Sequence, residues 1–505
     1  MGFIWNFPLF TIVCSLFSGA LCSILSPRAA KRYTILFEGV LILLAACVLG
    51  YTLGSGASFT YVMGEFPAPW GNEIRAGVLE ALFALVFLVI MLCSVFAGER
   101  FLQKDLDESK INLYYSLVNL MTAALMALVW TNDIFTGYVF LEILTLSSCG
   151  VLIVREIGRT TLAAMRYMIL NLLGSGLYLL GVVLLYDTTG HLLMVPMRTA
   201  IADIAADPAN LPVLSISVGI LTIGLAIKSG LFPFHFWMPD TYGKASPISA
   251  ALLSSLVSKA YIFLLLKTYY RVIGPEVLEK LPIGNILLVL GMLGIIFGSV
   301  SAMLSDDINR MVAFSSAAQI GYIYMGIGIG GLAGYTAALF HMLAHAVTKS
   351  QLFLSTPRLA EVSGGNLGFR YLQGSGLRNR DAGKAFSVAA LSMIGIPIFA
   401  GFASKVLFGI SAVMADNTME TVCVLLVLAV SSLLNVLYFI RTMVRIYIAP
   451  TKEQVKEGKY DYRVKEGHSP SFFIPMLVLS SINVFMGLFS WIIVDLIRTG
   501  LGMFA

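Results

Sequence analysis

The sequence predicts an all-α integral membrane protein of about fourteen transmembrane helices, and three observations carry that prediction. Apolar residues make up 58% and charged residues 12% of the 505 positions, whereas soluble domains carry roughly 25% charge, and the mean hydropathy is +0.87. Apolar runs long enough to cross a bilayer, about 20 residues each, recur from residues 9–25 to residues 475–494. Lysine and arginine collect in alternate loops between those runs.

Punctuation by Gly, Pro and charge places the spans at 3–24, 33–53, 77–97, 111–130, 133–154, 162–186, 212–232, 244–268, 282–302, 309–329, 332–355, 384–413, 418–447 and 470–499. No Lys or Arg precedes Arg28 and a second apolar run follows, so the first run reads as a spanning helix rather than a cleaved leader. Loops after odd-numbered spans hold Arg28, Lys31 and Arg32, then Arg100, Lys104 and Lys110, then Arg155 and Arg159. Later ones hold Lys244, Arg310, Arg358, Arg370, Arg378, Arg380 and Lys384, and the last has Lys452, Lys456, Lys459, Arg463 and Lys465. Loops after even spans hold a scattering: Arg75, Arg198, Arg271 and Lys280. The positive-inside rule then puts the odd loops in the cytoplasm and both termini outside. The three longest loops, 54–76, 187–211 and 357–383, are too short for a soluble domain, so the chemistry belongs in the membrane.

Several functions are disfavoured by what the spans carry. The net charge of +5 is modest, and nucleic acid is not among the expected partners. Cys14, Cys22, Cys47, Cys93, Cys149 and Cys423 all sit in apolar stretches without a CxxC or CxxCH pattern. They read as small buried hydrophobes, not as ligands for an iron–sulfur cluster or covalent haem. No GxxxxGK[ST] is present, so ATP hydrolysis is not expected, and neither a cofactor nor a metal is expected.

Ionisable residues at membrane depth are therefore the candidate site, because each costs at least about 2.5–3.5 kcal/mol to insert. Glu142 lies in GYVFLEILTLSS, Lys228 in LTIGLAIKSGLFPFHFW, Lys259 in ALLSSLVSKAYIFLLL and Lys405 in GIPIFAGFASKVLFGI. A lysine near a helix end can instead snorkel to the interface, a reading that fits Lys267 better than Lys228 or Lys259. Glu142 could alternatively belong to a purely structural ion pair. His341, His345 and Lys349 recur at i, i+4 and i+8, which stacks them on one helix face. HxxxH is a metal-ligand spacing, but no Glu stands between and no third ligand is nearby. A proton relay fits better, since imidazole changes charge near physiological pH; packed core histidines are the remaining reading. Pro233 follows Lys228, and Pro397 precedes Lys405. Such breaks at membrane depth line protein or a water-filled cavity, and paired broken helices in two halves mark the ion path of an inverted-repeat transporter. Pro247 is expected to contribute to the same broken-helix architecture.

The run KSGLFPFHFWMPDTYGKASPISAALLSSLVSK resembles the signature of the antiporter-like subunits shared by respiratory complex I, Mrp-type cation/proton antiporters and membrane-bound energy-converting hydrogenases. TNDIFTGYVFLEILTLSSCGVL, INRMVAFSSAAQIGYI, FHMLAHAVTKSQLFL and MIGIPIFAGFASK match further segments of that family in its order, and the likeness covers residues 30–490. The resemblance implies fourteen helices with two five-helix inverted repeats: helices one to three in 1–110, repeats in 111–270 and 271–450, and a last helix in 451–505. It also implies that Glu142 pairs with Lys228, that Lys259 links the halves, that His341, His345 and Lys349 form the central relay, and that Lys405 ends it. Asn309 stands where the family often has a lysine before Arg310, so no role is carried to that position. The chain also stops without the long lateral helix of the largest complex I subunit. Lys405 in place of a glutamate, together with AGVLEALFALVFLVIM near span three, favours the D-type member of the Mrp branch.

The function expected is thus the proton-translocating subunit of a multisubunit Mrp-type Na⁺/H⁺ antiporter in a prokaryotic cell membrane. Its partners would be other membrane subunits, H⁺, Na⁺ and the lipid bilayer. The alternative is the same subunit in a redox-driven complex, a membrane-bound hydrogenase or complex I relative, where partners transfer the electrons. A standalone carrier of an organic solute is disfavoured by the chain-long row of Lys and His.

Overall fold

The computed structural model describes residues 2–66, 71–449 and 465–504. It is a helical bundle with one small hairpin. In order, the chain forms α1 (Phe7–Ile24), α2 (Pro27–Ser55), strands β1 (Phe59–Val62) and β2 (Glu73–Ala76), α3 (Val78–Asp105), α4 (Ile111–Trp130), α5 (Ile134–Ile153) and α6 (Gly158–Thr189). The short α7 (Met194–Ile204) precedes α8 (Leu211–Ser229), α9 (Met238–Lys244), α10 (Pro247–Leu252), α11 (Ser258–Thr268) and α12 (Pro275–Leu278). The second half holds α13 (Ile283–Met303), α14 (Ile308–Ile329), α15 (Gly331–Glu361), α16 (Ser375–Arg378), α17 (Arg380–Ile394), α18 (Ala400–Met414) and α19 (Thr418–Tyr447). It closes with α20 (Pro470–Leu488) and α21 (Ser490–Gly502).

Local sequence starts these helices in familiar ways. The Asp133 carboxylate accepts the Thr136 N–H at 2.6 Å to open α5, and Asp307 does the same for the Arg310 N–H at 2.7 Å to open α14; both satisfy otherwise orphaned first-turn donors. Proline at the first position opens α2, α10 and α20, where its missing N–H costs nothing.

Among the described residues, twelve helical stretches are long and apolar enough to cross a membrane, and the protein is a multi-pass membrane protein. The other two expected spans are also helical. One is α15, and the other is the broken pair α17–α18. Some boundaries differ from the expected ones. Helix α3 runs on to Asp105 instead of ending at residue 97, because Lys31 pairs with Glu99 and Lys104 with Glu361, so a charged last turn finds partners. Loop 54–76 contains the β1–β2 hairpin, with Phe59 opposite Ala76 and Val62 opposite Glu73. Loop 187–211 contains α7, and the last span divides at Phe489 into α20 and α21. Lys452, Lys456, Lys459 and Arg463 lie outside the described residues.

Two helical columns are buried all round, as is expected only of helices at the centre of a bundle. One runs through α10 and α11, whose whole span is enclosed. The other is α15, buried from Gly334 to Ala360 and packed against α14, α17, α18, α20 and α3. These columns carry Lys259 and the histidines. Around them the helices approach closely through small residues, as lipid-embedded helices do. A Cβ on Gly224 of α8 would lie 2.5 Å from the Gly174 carbonyl oxygen of α6, and this contact fixes the turn that carries Lys228.

The crossing of α17 and α18 is tighter still. A Cβ on Gly401 would sit 1.8 Å from the Ser392 carbonyl oxygen, so any side chain there pushes the two half-helices apart. Gly401→Ala should cost about 1–3 kcal/mol and lower the melting temperature of the purified protein. Gly243→Ala, which meets nothing within 4 Å, should leave it unchanged.

Candidate functional site

Lys228 occupies the last turn of α8, where Gly230 (φ 79°) ends the helix ahead of Pro233 and the turn Phe234–Trp237. Its ammonium donates to Thr145 Oγ1 of α5 at 2.7 Å and to the Asn171 carbonyl of α6 at 3.1 Å, and lies 5.1 Å from the centre of the Tyr261 ring. Glu142 lies one turn before Thr145. It makes no ion pair with Lys228 among the described residues, although its charge acts on that lysine, and its buried Oε1 has no hydrogen-bond partner.

Lys259 begins α11, directly after a π-helical turn at Leu253–Val257. Its ammonium donates to the Ser254 carbonyl in that turn and to Ser258 Oγ at 3.3 Å. A π turn displaces the regular hydrogen-bond ladder and often marks a functional position. On α15, the rings of His341 and His345 stack with centroids 5.9 Å apart and planes 9° apart. His341 Nδ1 meets Ser404 Oγ of α18 at 2.7 Å. Further along the same face, Lys349 donates to the Val312 carbonyl at 2.9 Å and to Ser315 Oγ, both on α14. Lys405 on α18 donates to the Ile394 carbonyl at 2.6 Å, the last carbonyl before the break at residues 395–399, and to Ser432 Oγ at 2.9 Å. Pro397 lies in that break, whereas Pro247 opens α10 instead of interrupting a helix.

The four lysines therefore share one environment. Lys228, Lys259, Lys349 and Lys405 each donate to one backbone carbonyl and one hydroxyl, and none is in an ion pair among the described residues. A hydroxyl both donates and accepts, so it can serve an ammonium or, with its proton turned round, a neutral amine. Lysines 259 and 349 are electrostatic neighbours of His345, and Lys405 of His341. A cavity of about 10 Å³, near the smallest that admits one water, joins His341 and His345 to Lys405, with Gln319, Thr348 and Ser392 on its walls. His341 Nε2, both ring nitrogens of His345 and Gln319 Nε2 are buried without partners. Buried polar atoms are rarely left so, and these belong to three residues that line one cavity.

The fold and these residues define a multi-pass membrane protein that carries a row of buried titratable groups within its helices. Comparison with known proteins gives its family. The chain belongs to the NADH:quinone oxidoreductase/Mrp antiporter transmembrane family, whose model matches residues 131–435. It is 31% identical to NADH-quinone oxidoreductase subunit N of Desulforudis audaxviator over 96% of each chain. It is 23% identical to the D component of the Na⁺/H⁺ antiporter of Alkalihalophilus pseudofirmus over 89% of this chain and 87% of that one. Its fold matches a chain in the Mrp complex from Dietzia sp. DQ12-45-1b with a TM-score of 0.86, at 23% identity, over 99% of this chain and 97% of that one.

A second buried charge cluster does not stand out in the sequence. Glu80 in the first turn of α3 accepts from Arg75 Nη1 at 2.5 Å and lies 3.4 Å from the ammonium of Lys267. Arg271 donates to Asn132 Oδ1 at 3.1 Å, and Asn132 in turn donates to Glu73 at 2.8 Å. Arg75 also bonds the Met503 carbonyl, and Arg75 and Arg271 flank the Phe504 ring. Snorkelling is one reading of Lys267, and a loop position is expected of the arginines; instead all three are buried, Arg75 and Arg271 against the C-terminal turn and Lys267 beside Glu80 with its ammonium donating to the Val129 carbonyl at 2.8 Å. The rule that finds Glu142, an acid inside an apolar run, also applies to Glu80.

Glu80→Gln should leave three buried cations without their nearest carboxylate. A loss of about 3–5 kcal/mol is expected, read as a lower melting temperature of the solubilised protein. Adding Lys267→Met should recover part of it.

Proposed function

We propose that this chain is the proton-translocating subunit of a multisubunit Mrp-type Na⁺/H⁺ antiporter in a prokaryotic cytoplasmic membrane. The observation that carries the reading is the shared carbonyl-and-hydroxyl environment of the four buried lysines, which holds each proton without fixing it in an ion pair. Protons pass along Glu142, Lys228 and Lys259 to the central group of Lys349, His345 and His341, and from His341 to Lys405. A Glu142 carboxylate drawn to about 4 Å from the Lys228 ammonium adds about 4 kcal/mol at an effective dielectric near 20. Withdrawing it loosens the lysine's proton, and repulsion between neighbouring ammonium groups moves the charge on. In this reading residues 111–270 and 271–450 are two inverted half-units, each with one broken helix and one buried column. The helices of 1–110 and 451–505 frame them. The ends of the chain face outward. Trp5 stacks on Phe59 at 5.2 Å, and Phe504 docks beside Arg75 of the same hairpin. The cation-rich loops lie inside, where Arg358 pairs with Glu466 at 2.5 Å and Arg155 with Asp105 at 3.0 Å.

A second reading has its own support. The identity to subunit N of an NADH-quinone oxidoreductase extends over nearly the full length, so the same row would serve a redox-driven pump whose partners carry the electrons.

Lys228→Ala and Glu142→Ala should each abolish coupled proton transport in vesicles while the complex still assembles; full transport in either variant overturns the relay. To identify the driving reaction, the complex is purified through a tag at the N-terminal side, where Phe3 is exposed, and its subunits are read by mass spectrometry. Small membrane subunits alone are expected. Iron–sulfur or hydrogenase proteins in the complex would replace the antiporter by the redox-driven pump.

A further inference from the structure

One buried carboxylate lies away from the lysine row and pairs with no cation among the described residues. Glu38 sits in the middle of α2, fully enclosed, in the seam between α2 and α4. Thr122 Oγ1 donates to its Oε1 at 2.7 Å, while its Oε2 is buried with no hydrogen-bond partner. One turn away along the same seam, Asn119 Nδ2 donates to Thr34 Oγ1 at 3.0 Å and to the Tyr115 carbonyl at 2.8 Å, with Cys22 Sγ at 3.5 Å. The other amide atom, Asn119 Oδ1, is likewise buried and unpartnered. Two orphaned acceptor oxygens thus occupy adjacent rungs of one ladder.

We propose that Glu38, Asn119, Thr34 and Thr122 form a binding site for a small monovalent metal cation, Na⁺, which exchanges there with a proton. An isolated carboxylate at this depth must be neutralised. A proton on Glu38 satisfies one oxygen; a metal cation between the rungs satisfies Oε2 and Oδ1 together. The donors, a carboxylate, an amide oxygen and two hydroxyls, are the hard oxygen set that selects alkali and alkaline-earth ions over transition metals. One carboxylate matches one positive charge, which favours a monovalent ion. The exchange balances as Glu38 carboxylic acid plus Na⁺ giving Glu38 carboxylate with bound Na⁺ plus H⁺, the proton leaving to water.

In this proposal the ion enters from the loop side. A cavity of about 480 Å³ is lined by Arg28, Lys31, Arg32, Glu99, Glu108 and Tyr115. Tyr115, Asn119 and Thr122 follow one another on one face of α4, so the cavity wall and Glu38 are separated by about 10 Å at 1.5 Å per residue. The titratable or charged groups on the elements packed against α2 are Cys14 and Cys22 of α1, Tyr114 and Tyr115 of α4, and Glu80, Cys93, Glu99, Arg100, Lys104 and Asp105 of α3, with Glu108 and Lys110 in the turn before α4. None forms an ion pair with Glu38; Glu99 is taken by Lys31, Asp105 by Arg155 and Lys110 by Glu156.

The test uses the intact purified complex in weakly buffered, Na⁺-free solution with choline as the balancing cation. Adding NaCl should remove a protonated-carboxyl infrared band, release protons and raise the melting temperature, while equal choline chloride does none of these. Glu38→Gln should lose all three responses. Thr122→Val, which keeps the carboxyl and removes one donor, should raise the half-saturating Na⁺ concentration on the order of tenfold. Lys228→Ala should keep the Na⁺ responses, so that failure of the relay and failure of this site are read separately. A wild-type complex indifferent to Na⁺, or a Glu38→Gln complex that still responds, overturns the proposal.

Discussion

Every unusual feature of this bundle answers one constraint: a charge carried into an apolar helix bundle must be met where it stands. Insertion alone costs at least about 2.5–3.5 kcal/mol per group, and an unmet hydrogen-bonding group adds to that. The helices supply what is needed by departing from regularity. The π turn before Lys259 presents the Ser254 carbonyl, and the break between α17 and α18 presents that of Ile394 to Lys405. Where the helix is unbroken, the carbonyls of Asn171 and Val312 are shared with neighbouring serine hydroxyls as well as with Lys228 and Lys349. Breaks and serines at these levels follow from the lysines they serve.

The same constraint is met differently at the other end of α11. Lys267 lies eight residues from Lys259 on one buried helix, yet it is held beside Glu80. Arg75 completes that ion pair and ties it to the final turn of the chain. Direct carboxylate pairing holds charge in place and staples α3, the hairpin and the C-terminal turn together. Neutral ligands leave charge free to move. The choice of partner, rather than burial itself, separates the structural lysine from the four conducting ones in the proposed relay.

Much of this was legible in the sequence. Glu142, Lys228, Lys259, Lys349 and Lys405 stand out as charges in apolar runs, and the i, i+4, i+8 spacing puts His341, His345 and Lys349 on one face of α15. What could not be read is which charges meet. Arg75 looks like a loop residue because its partner, the Met503 carbonyl, is 428 residues away. The absence of a Glu142–Lys228 ion pair among the described residues is equally invisible, since it depends on Thr145 and Asn171 taking the ammonium. Local composition reports that a charge is buried; only tertiary packing reports what neutralises it.

Glu142 and Glu38 each keep a buried carboxylate oxygen without a partner, but they differ in their surroundings and therefore in the ion each can host. Glu142 stands beside a row of four ammonium groups, whose field repels a metal cation but not a proton bound covalently to nitrogen. Glu38 lies in a seam where no described lysine or arginine pairs with it and the neighbouring oxygens of Thr122, Thr34 and Asn119 are uncharged, so its carboxylate is left free to take a metal cation in the proposed site. Residues 131–435, matched by the family model, contain Glu142 but not Glu38. A carrier that moves both H⁺ and Na⁺ must keep the two from competing for one set of ligands. In the proposed reading, a lysine row centred on the two buried columns and an oxygen-only seam among α1, α2 and α4 would separate the two ions by charge.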